Sequence, residues 1–290
     1  MGKTFEQQKR DELIHKIFYE TSEKSLLKFI CSLDEERLLK ILRFYLRTLY
    51  DKIISTDEYI YAKGIIPICM VAHVDTIRDL SIVTGEFEPI TFIDEKMDTI
   101  HCLGGQALDD RLGVFIIIRL LQLGYRPSVI FTTGEEVGCT GARKLILDVP
   151  RCPDRDLKFF IEVDRKGVDE VVYYQNSNQA FKNFIESFGF VEQIGTISDI
   201  SVLMSGWKIG GCNVSAGYIN EHTSIETGSW SGVQRIIARL EDILNYDLSL
   251  LAKKRFKYIE SKHYFDIFKD PLPKDDIGLL DNMLPADGVF

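Results

Sequence analysis

Five short segments concentrate the residues able to do chemistry. In the first, residues 72–76 (AHVDT), His73 and Asp75 stand two apart at the end of an apolar run, so on a strand both point to the same face. An imidazole binds a metal well when its other nitrogen donates to a carboxylate, and Asp75 is placed to be that carboxylate. In the second, residues 104–113 (GGQALDDRLG), Asp109 and Asp110 sit at the mouth of a predicted helix. Such a carboxylate either caps the helix or bridges two cations with one oxygen for each. The third, residues 132–138 (TTGEEVG), sets Glu135 and Glu136 in a tight loop between Gly134 and Gly138, where one carboxylate can bind a metal while the other moves protons. In the fourth, residues 160–165 (FIEVDR), Glu162 and Asp164 interrupt one face of a hydrophobic strand, which is costly unless they are paired or metal-bound. The fifth, residues 215–226 (SAGYINEHTSIE), brings His222 in on a polar loop after a strand. Taken singly, each also reads as an ordinary strand end, helix cap or surface charge.

The elements that must position these residues alternate between strand and helix. Apolar runs over 65–74, 128–133, 157–163, 171–174 and 211–218 read as strands, with two weaker ones in 88–103 around a turn at 94–98. Helices are predicted over 109–123, closed by Gly124, and over 141–147, 180–188 and 233–244. Alternation of this kind predicts an α/β/α sandwich around a mixed, mostly parallel central sheet. In such sheets ligands bind beyond the carboxyl ends of the strands, where all five segments fall. The stretch up to Tyr61 reads as helical, with Leu38, Leu39, Leu42, Leu46 and Leu49 at helical spacing and helix starts expected near Thr21 or Ser22 and near Ser32. These helices either pack on the main body, cap a cleft or build an oligomer. Residues 1–61 are thus expected to form an N-terminal helical extension and 62–290 the domain that carries the site. The tail after Lys254, with Pro271, Pro273 and Pro285, is expected to wrap the surface irregularly.

The 290 residues suffice for a sizeable core, and a net charge of -9 argues against nucleic-acid and anionic-membrane partners, both of which require a basic surface. Six scattered cysteines without a C-x-x-C pair, behind a charged start with no signal-like apolar core, predict reduced thiols and a cytoplasmic protein.

In their order (H-x-D, D-D, E-E, D, H) the five segments resemble the superfamily of co-catalytic di-zinc exopeptidases, over roughly half of the chain from Ala72 to Glu226. Leu108 stands where that family carries a small residue before D-D. The resemblance implies two divalent ions per chain, zinc by default with cobalt or manganese acceptable. It further implies that His73 and Asp164 bind one ion, Glu136 and His222 the other, and that Asp109 bridges them through a residue pair whose peptide bond is often cis. By the same resemblance Glu135 is the general base, Asp75 orients His73, and a two-metal-activated water cleaves a peptide or amide bond. Cys139 is read as structural.

Only 57 residues separate Asp164 from His222, and 35 separate His73 from Asp109. Neither gap holds the inserted domain of other branches, so the chain most resembles compact, single-domain leucyl-type aminopeptidases acting on peptides or small amides. Residues 198–211, which begin with Ser198 and Asp199, resemble the segment that leads to the strand before the last histidine, near the substrate groove. Tyr218 faces either substrate or core. The alternatives are an N-acyl amino acid deacylase or other amidohydrolase, and a non-catalytic binding protein on the same fold.

Overall fold

A computed structural model describes residues 4–77, 90–103, 108–250 and 255–261. The chain begins with three helices: α1 (Phe5–His15), which runs on into a π-helical turn over Lys16–Glu20, α2 (Glu23–Ser32) and α3 (Glu35–Leu49). Ser22 caps α2 by accepting from the Ser25 N–H, as expected, whereas α3 is capped by Asp34 rather than Ser32. The helical pattern stops at Leu49. Beyond it, Ile53–Ser55 and Tyr59–Ala62 form strands β1 and β2; all four residues of β2 are buried, and β-branched and aromatic residues packed in this way favour a pleated surface over a helix.

The remaining elements are β3 (Ile66–His73), β4 (Ile90–Asp94), β5 (Thr99–Leu103), α4 (Arg111–Gln122), β6 (Pro127–Thr132), α5 (Thr140–Asp148), β7 (Phe159–Arg165), β8 (Glu170–Val172), α6 (Gln179–Glu186), β9 (Val191–Gln193), α7 (Asp199–Trp207), β10 (Gly211–Ser215), β11 (Tyr218–Ile219), β12 (Thr227–Gly228) and α8 (Trp230–Asn245). An eight-stranded sheet runs in the order β1-β2-β6-β3-β7-β10-β8-β9. Its centre, β6-β3-β7-β10, is parallel, while β1, β2 and β8 join antiparallel to their inner neighbours. A second, antiparallel sheet, β11-β12-β5-β4, includes the expected hairpin, with Asp98 at φ 54° in its turn.

Alternation along β3 divides the core between the two faces of the large sheet. Ile68, Met70 and Ala72 pack towards α4, α8 and the N-terminal helices, and Cys69 and Val71 towards α5 and α7. The architecture is therefore the α/β/α sandwich expected from the sequence, with helices on both faces of a mixed, mostly parallel sheet. Leu26, Leu27 and Ile30 of α2 and Leu38, Leu42 and Leu46 of α3 are buried in the same core as α4. The N-terminal helices thus pack on the main body. Between Asp164 and His222 the chain builds β8, α6, β9, α7 and β10 into this one layered arrangement. Residues 255–261 lie against the body through bridges from Lys257 to Ile209 and from Glu260 to Asn176. The three prolines of the tail fall outside the described residues. No described helix is long and apolar enough to cross a membrane.

Helix α4 approaches the sheet so closely that only glycine fits at its first turn. A Cβ on Gly113 would lie 1.9 Å from the Val163 carbonyl oxygen and 2.4 Å from Asp110 Oδ1. Replacing Gly113 with alanine is expected to cost about 1–3 kcal/mol or more, since backbone must shift to relieve the overlap. Urea denaturation checks this, and wild-type stability in the variant would contradict the packing described.

Candidate metal centre

Each chemistry-bearing segment sits where its strand or loop ends, and the fold brings all of them to one place. His73 is the last residue of β3, at the carboxyl edge of the parallel strands. Its Nε2 lies 3.2 Å from Asp109 Oδ1 and 3.2 Å from Asp164 Oδ1. His222, on the loop between β11 and β12 and at φ 61°, places its Nε2 3.2 Å from Glu136 Oε1 and 3.2 Å from the other Asp109 oxygen, Oδ2. Asp109 therefore stands between the imidazoles with one oxygen facing each. The Asp109–Asp110 peptide bond is cis.

The other nitrogen of His73 faces a backbone acceptor. Nδ1 lies 3.0 Å from the Asp75 carbonyl oxygen, which can only accept, so this bond forms with a proton on Nδ1. The Asp75 carboxylate is also 3.3 Å from Nδ1. The same carboxylate accepts from the Glu135 and Glu136 N–H groups at 3.3 and 3.1 Å, so Asp75 ties the histidine to the glutamate loop. In its neutral form His73 thus aims an Nε2 lone pair at two carboxylate oxygens. Acceptors facing acceptors at this distance call for a proton or a cation between them.

Asp164 is the best-braced of the carboxylates. The pairing of β10 with β7 steps from Val214–Val163 to Ser215–Arg165, leaving Asp164 as the extra residue of a bulge. Its N–H donates to the Asn213 side-chain oxygen at 2.9 Å, and the Asn213 amide returns a bond to Asp164 Oδ2 at 3.1 Å. Ser198 donates to Oδ2 at 3.2 Å, and the Tyr218 hydroxyl lies 2.6 Å from the Asp164 carbonyl oxygen and 3.1 Å from Oδ1. Tyr218 is almost fully buried and forms a wall of the site. Ser198 and Asp199, expected near the substrate groove, are buried next to the acidic cluster and directly follow the cavity-lining Ile197. Ser198 bonds Glu162 as well as Asp164, while Asp199 accepts from Thr132. Glu162, on the same face of β7 as Asp164, accepts from the Ile200 N–H at 3.2 Å and so braces the start of α7. Cys139 is buried at the start of α5, consistent with a structural role.

So many buried acids raise one another. Burial and the Asp164 charge push Glu135 up to about 9, and burial with Asp109 pushes Glu136 up to about 7. Asp110 and Glu162 are raised by the same two causes, burial first and the Asp164 charge next. Asp110 caps α4 through one oxygen, bound by the Gly113 N–H, while its other oxygen is buried without a partner among the described residues. Lys166 and Arg165, at the edge of the cluster, are paired with Glu221 and Glu170. His73, Asp109 and Glu136, and likewise His73, Asp110 and Asp164, bring ligand atoms within 4.8 Å of one another. Mixed imidazole and carboxylate donors with surplus negative charge fit divalent cations such as zinc, cobalt or manganese. Beside them opens a cavity of about 290 Å³, walled by Asp109, Glu135, Glu136, Asp164 and His222 on one side and by Tyr174, Thr196 and Ile197 on another.

No protein-family model matches the chain, and no curated protein matches it in sequence. Solved structures match it in shape. Aminopeptidase PepT of Bacillus cereus superposes with a TM-score of 0.58 at 13% identity, over 77% of this chain and 97% of its own. A tripeptidase of Staphylococcus aureus gives 0.59 at 12% identity, over 79% and 98%. A TET aminopeptidase from a marine-sediment archaeon of the Thaumarchaeota gives 0.55 at 14%, over 78% and 98%. At these identities the likeness establishes a shared fold.

Asn213 offers a direct check on how the site is held. Its replacement by alanine leaves the Asp164 N–H without its acceptor and is expected to cost about 1–3 kcal/mol. Chemical denaturation in the presence of a chelator measures that loss, and an unchanged midpoint would show that the bulge needs no such support.

Proposed function

We propose that the chain is a metal-dependent hydrolase that cleaves peptide or amide bonds, and that it acts as an aminopeptidase-type exopeptidase. The observation that carries this reading is the Asp109 carboxylate, which turns one oxygen to His73 and the other to His222 at 3.2 Å each. Each imidazole shares its space with a second carboxylate, Asp164 for His73 and Glu136 for His222. His73 and Asp164 would then hold one cation, His222 and Glu136 the other, and Asp109 both. When bound, the pair supplies activation of water near neutral pH and polarisation of a carbonyl.

The chain's own groups do the rest. Glu135 lines the cavity next to Glu136, and burial and the neighbouring acids push it up to about 9. Cations that offset this charge would bring it back down, so that its carboxylate can take a proton from the attacking water and deliver it to the leaving amine. Asp75 fixes the Nδ1–H tautomer of His73 and the backbone of both glutamates, so that base and ligand keep one spacing. Tyr218 and Asn213 close the wall behind Asp164 and exclude water from that side. A cavity of about 290 Å³ is at the small end for a ligand site, which suits the terminal residue of a peptide or a small amide. A second reading is deacylation of N-acyl amino acids: Arg165 and Lys166 line the same cavity, and would exchange their partners Glu170 and Glu221 for a substrate carboxylate.

Zinc, cobalt or manganese is expected to load at two ions per chain by elemental analysis. Glu135→Gln should keep both ions yet lower turnover of aminoacyl substrates by roughly 10²–10⁴-fold, the usual contribution of a general base. Undiminished turnover by the metal-loaded variant would contradict the role of Glu135. Faster cleavage of N-acyl than of free-amine substrates by the wild type would favour the second reading.

A further inference from the structure

Asp109 can serve two ligand sets only if its main chain is fixed as firmly as its carboxylate, and one side chain does that from far along the sequence. Glu226 divides its carboxylate between two successive backbone donors: Oε2 accepts from the Leu108 N–H at 2.6 Å and Oε1 from the Asp109 N–H at 3.2 Å. The clamp sits on the same turn as His222. The Glu226 N–H closes that turn on the Thr223 carbonyl at 3.2 Å, and Thr227 and Gly228 then enter the small sheet, where Gly228 pairs with Ile100. A single short segment thus presents the imidazole that faces Asp109 Oδ2 and the carboxylate that holds Asp109 by its backbone.

We propose that Glu226 is a positioning residue that sets the orientation of the Asp109 carboxylate between His73 and His222. The inference rests on the two-metal reading above. Charge-assisted bonds to backbone N–H groups are roughly twice as strong as neutral ones, and two of them on adjacent residues leave the peptide little freedom to turn. A carboxylate is required here. Glutamine has one acceptor and one donor on its terminal group, so one of the two N–H groups would face another donor. Aspartate keeps the charge and both acceptors but is a methylene short of reaching both.

Zinc binding by the full chain, measured by competition with a chromophoric chelator, tests this. Wild type should take up two ions. Glu226→Gln should weaken at least one of them by roughly 10–100-fold, the range for residues that orient metal ligands. Glu226→Asp should weaken it as well, which separates the clamp from mere loss of a charge. Folding of each metal-free variant is followed by circular dichroism, and Glu226→Asp gives the answer if Glu226→Gln does not fold. Wild-type affinity in either folded variant overturns the proposal and leaves the two-metal reading standing. No zinc uptake by the wild type overturns that reading, and the positioning role falls with it.

Discussion

Burial of negative charge is the constraint around which this protein is built. Asp75, Asp109, Asp110, Glu162 and Asp199 are almost fully buried, and Glu135, Glu136 and Asp164 stand beside them. Moving even one carboxylate out of water costs several kcal/mol unless partners replace its hydration. Most of the polar architecture at the carboxyl edge of the sheet meets that cost. Backbone N–H groups serve Asp75, Asp110 and Glu162, hydroxyls serve Glu162 and Asp199, and Asn213 serves Asp164. What these partners leave uncompensated converges on the space between two imidazoles, where divalent cations would balance the charge under the proposed reading.

The scaffold delivers these groups because a parallel sheet ends its central strands along one edge. His73 closes β3 and Asp164 lies near the end of β7, while the loop after β6 supplies Glu135 and Glu136. Helix α4 starts from the same edge, so Asp110 can cap it while its neighbour Asp109 turns one oxygen to each imidazole. The close packing of Gly113 on the Val163 carbonyl brings that helix start against β7. Sheet order and helix placement thus determine which carboxylates meet which imidazole.

Much of this was legible in the sequence, for a physical reason. A buried strand such as β3 is nearly all apolar, so His73 at its end stands out, and so do Glu162 and Asp164 in β7. Gly124, at φ 100°, marks the end of α4 in the way a helix terminator should. The partners of the site residues were less visible. Glu226 acts on residues 117 and 118 positions away, and Ser198 on one 34 positions away, distances over which no local pattern speaks. Asn213 had a signal, a polar residue inside the apolar strand β10, that pointed to burial with a partner. The helical reading of residues 50–61 failed because leucine spacing in α3 was carried past Leu49 into a Tyr/Ile-rich segment whose conformation is set by pairing with β6. Strands of two or three residues, such as β9, β11 and β12, are too short to show a period at all.

The central claim is that Asp109 bridges two cations. The most direct measurement is anomalous diffraction from crystals of the protein grown with manganese or zinc. Two anomalous peaks are predicted, one on each side of the Asp109 carboxylate, the first next to His73 and Asp164 and the second next to Glu136 and His222. A single peak that leaves one Asp109 oxygen unbound, or peaks remote from both histidines, would contradict the account.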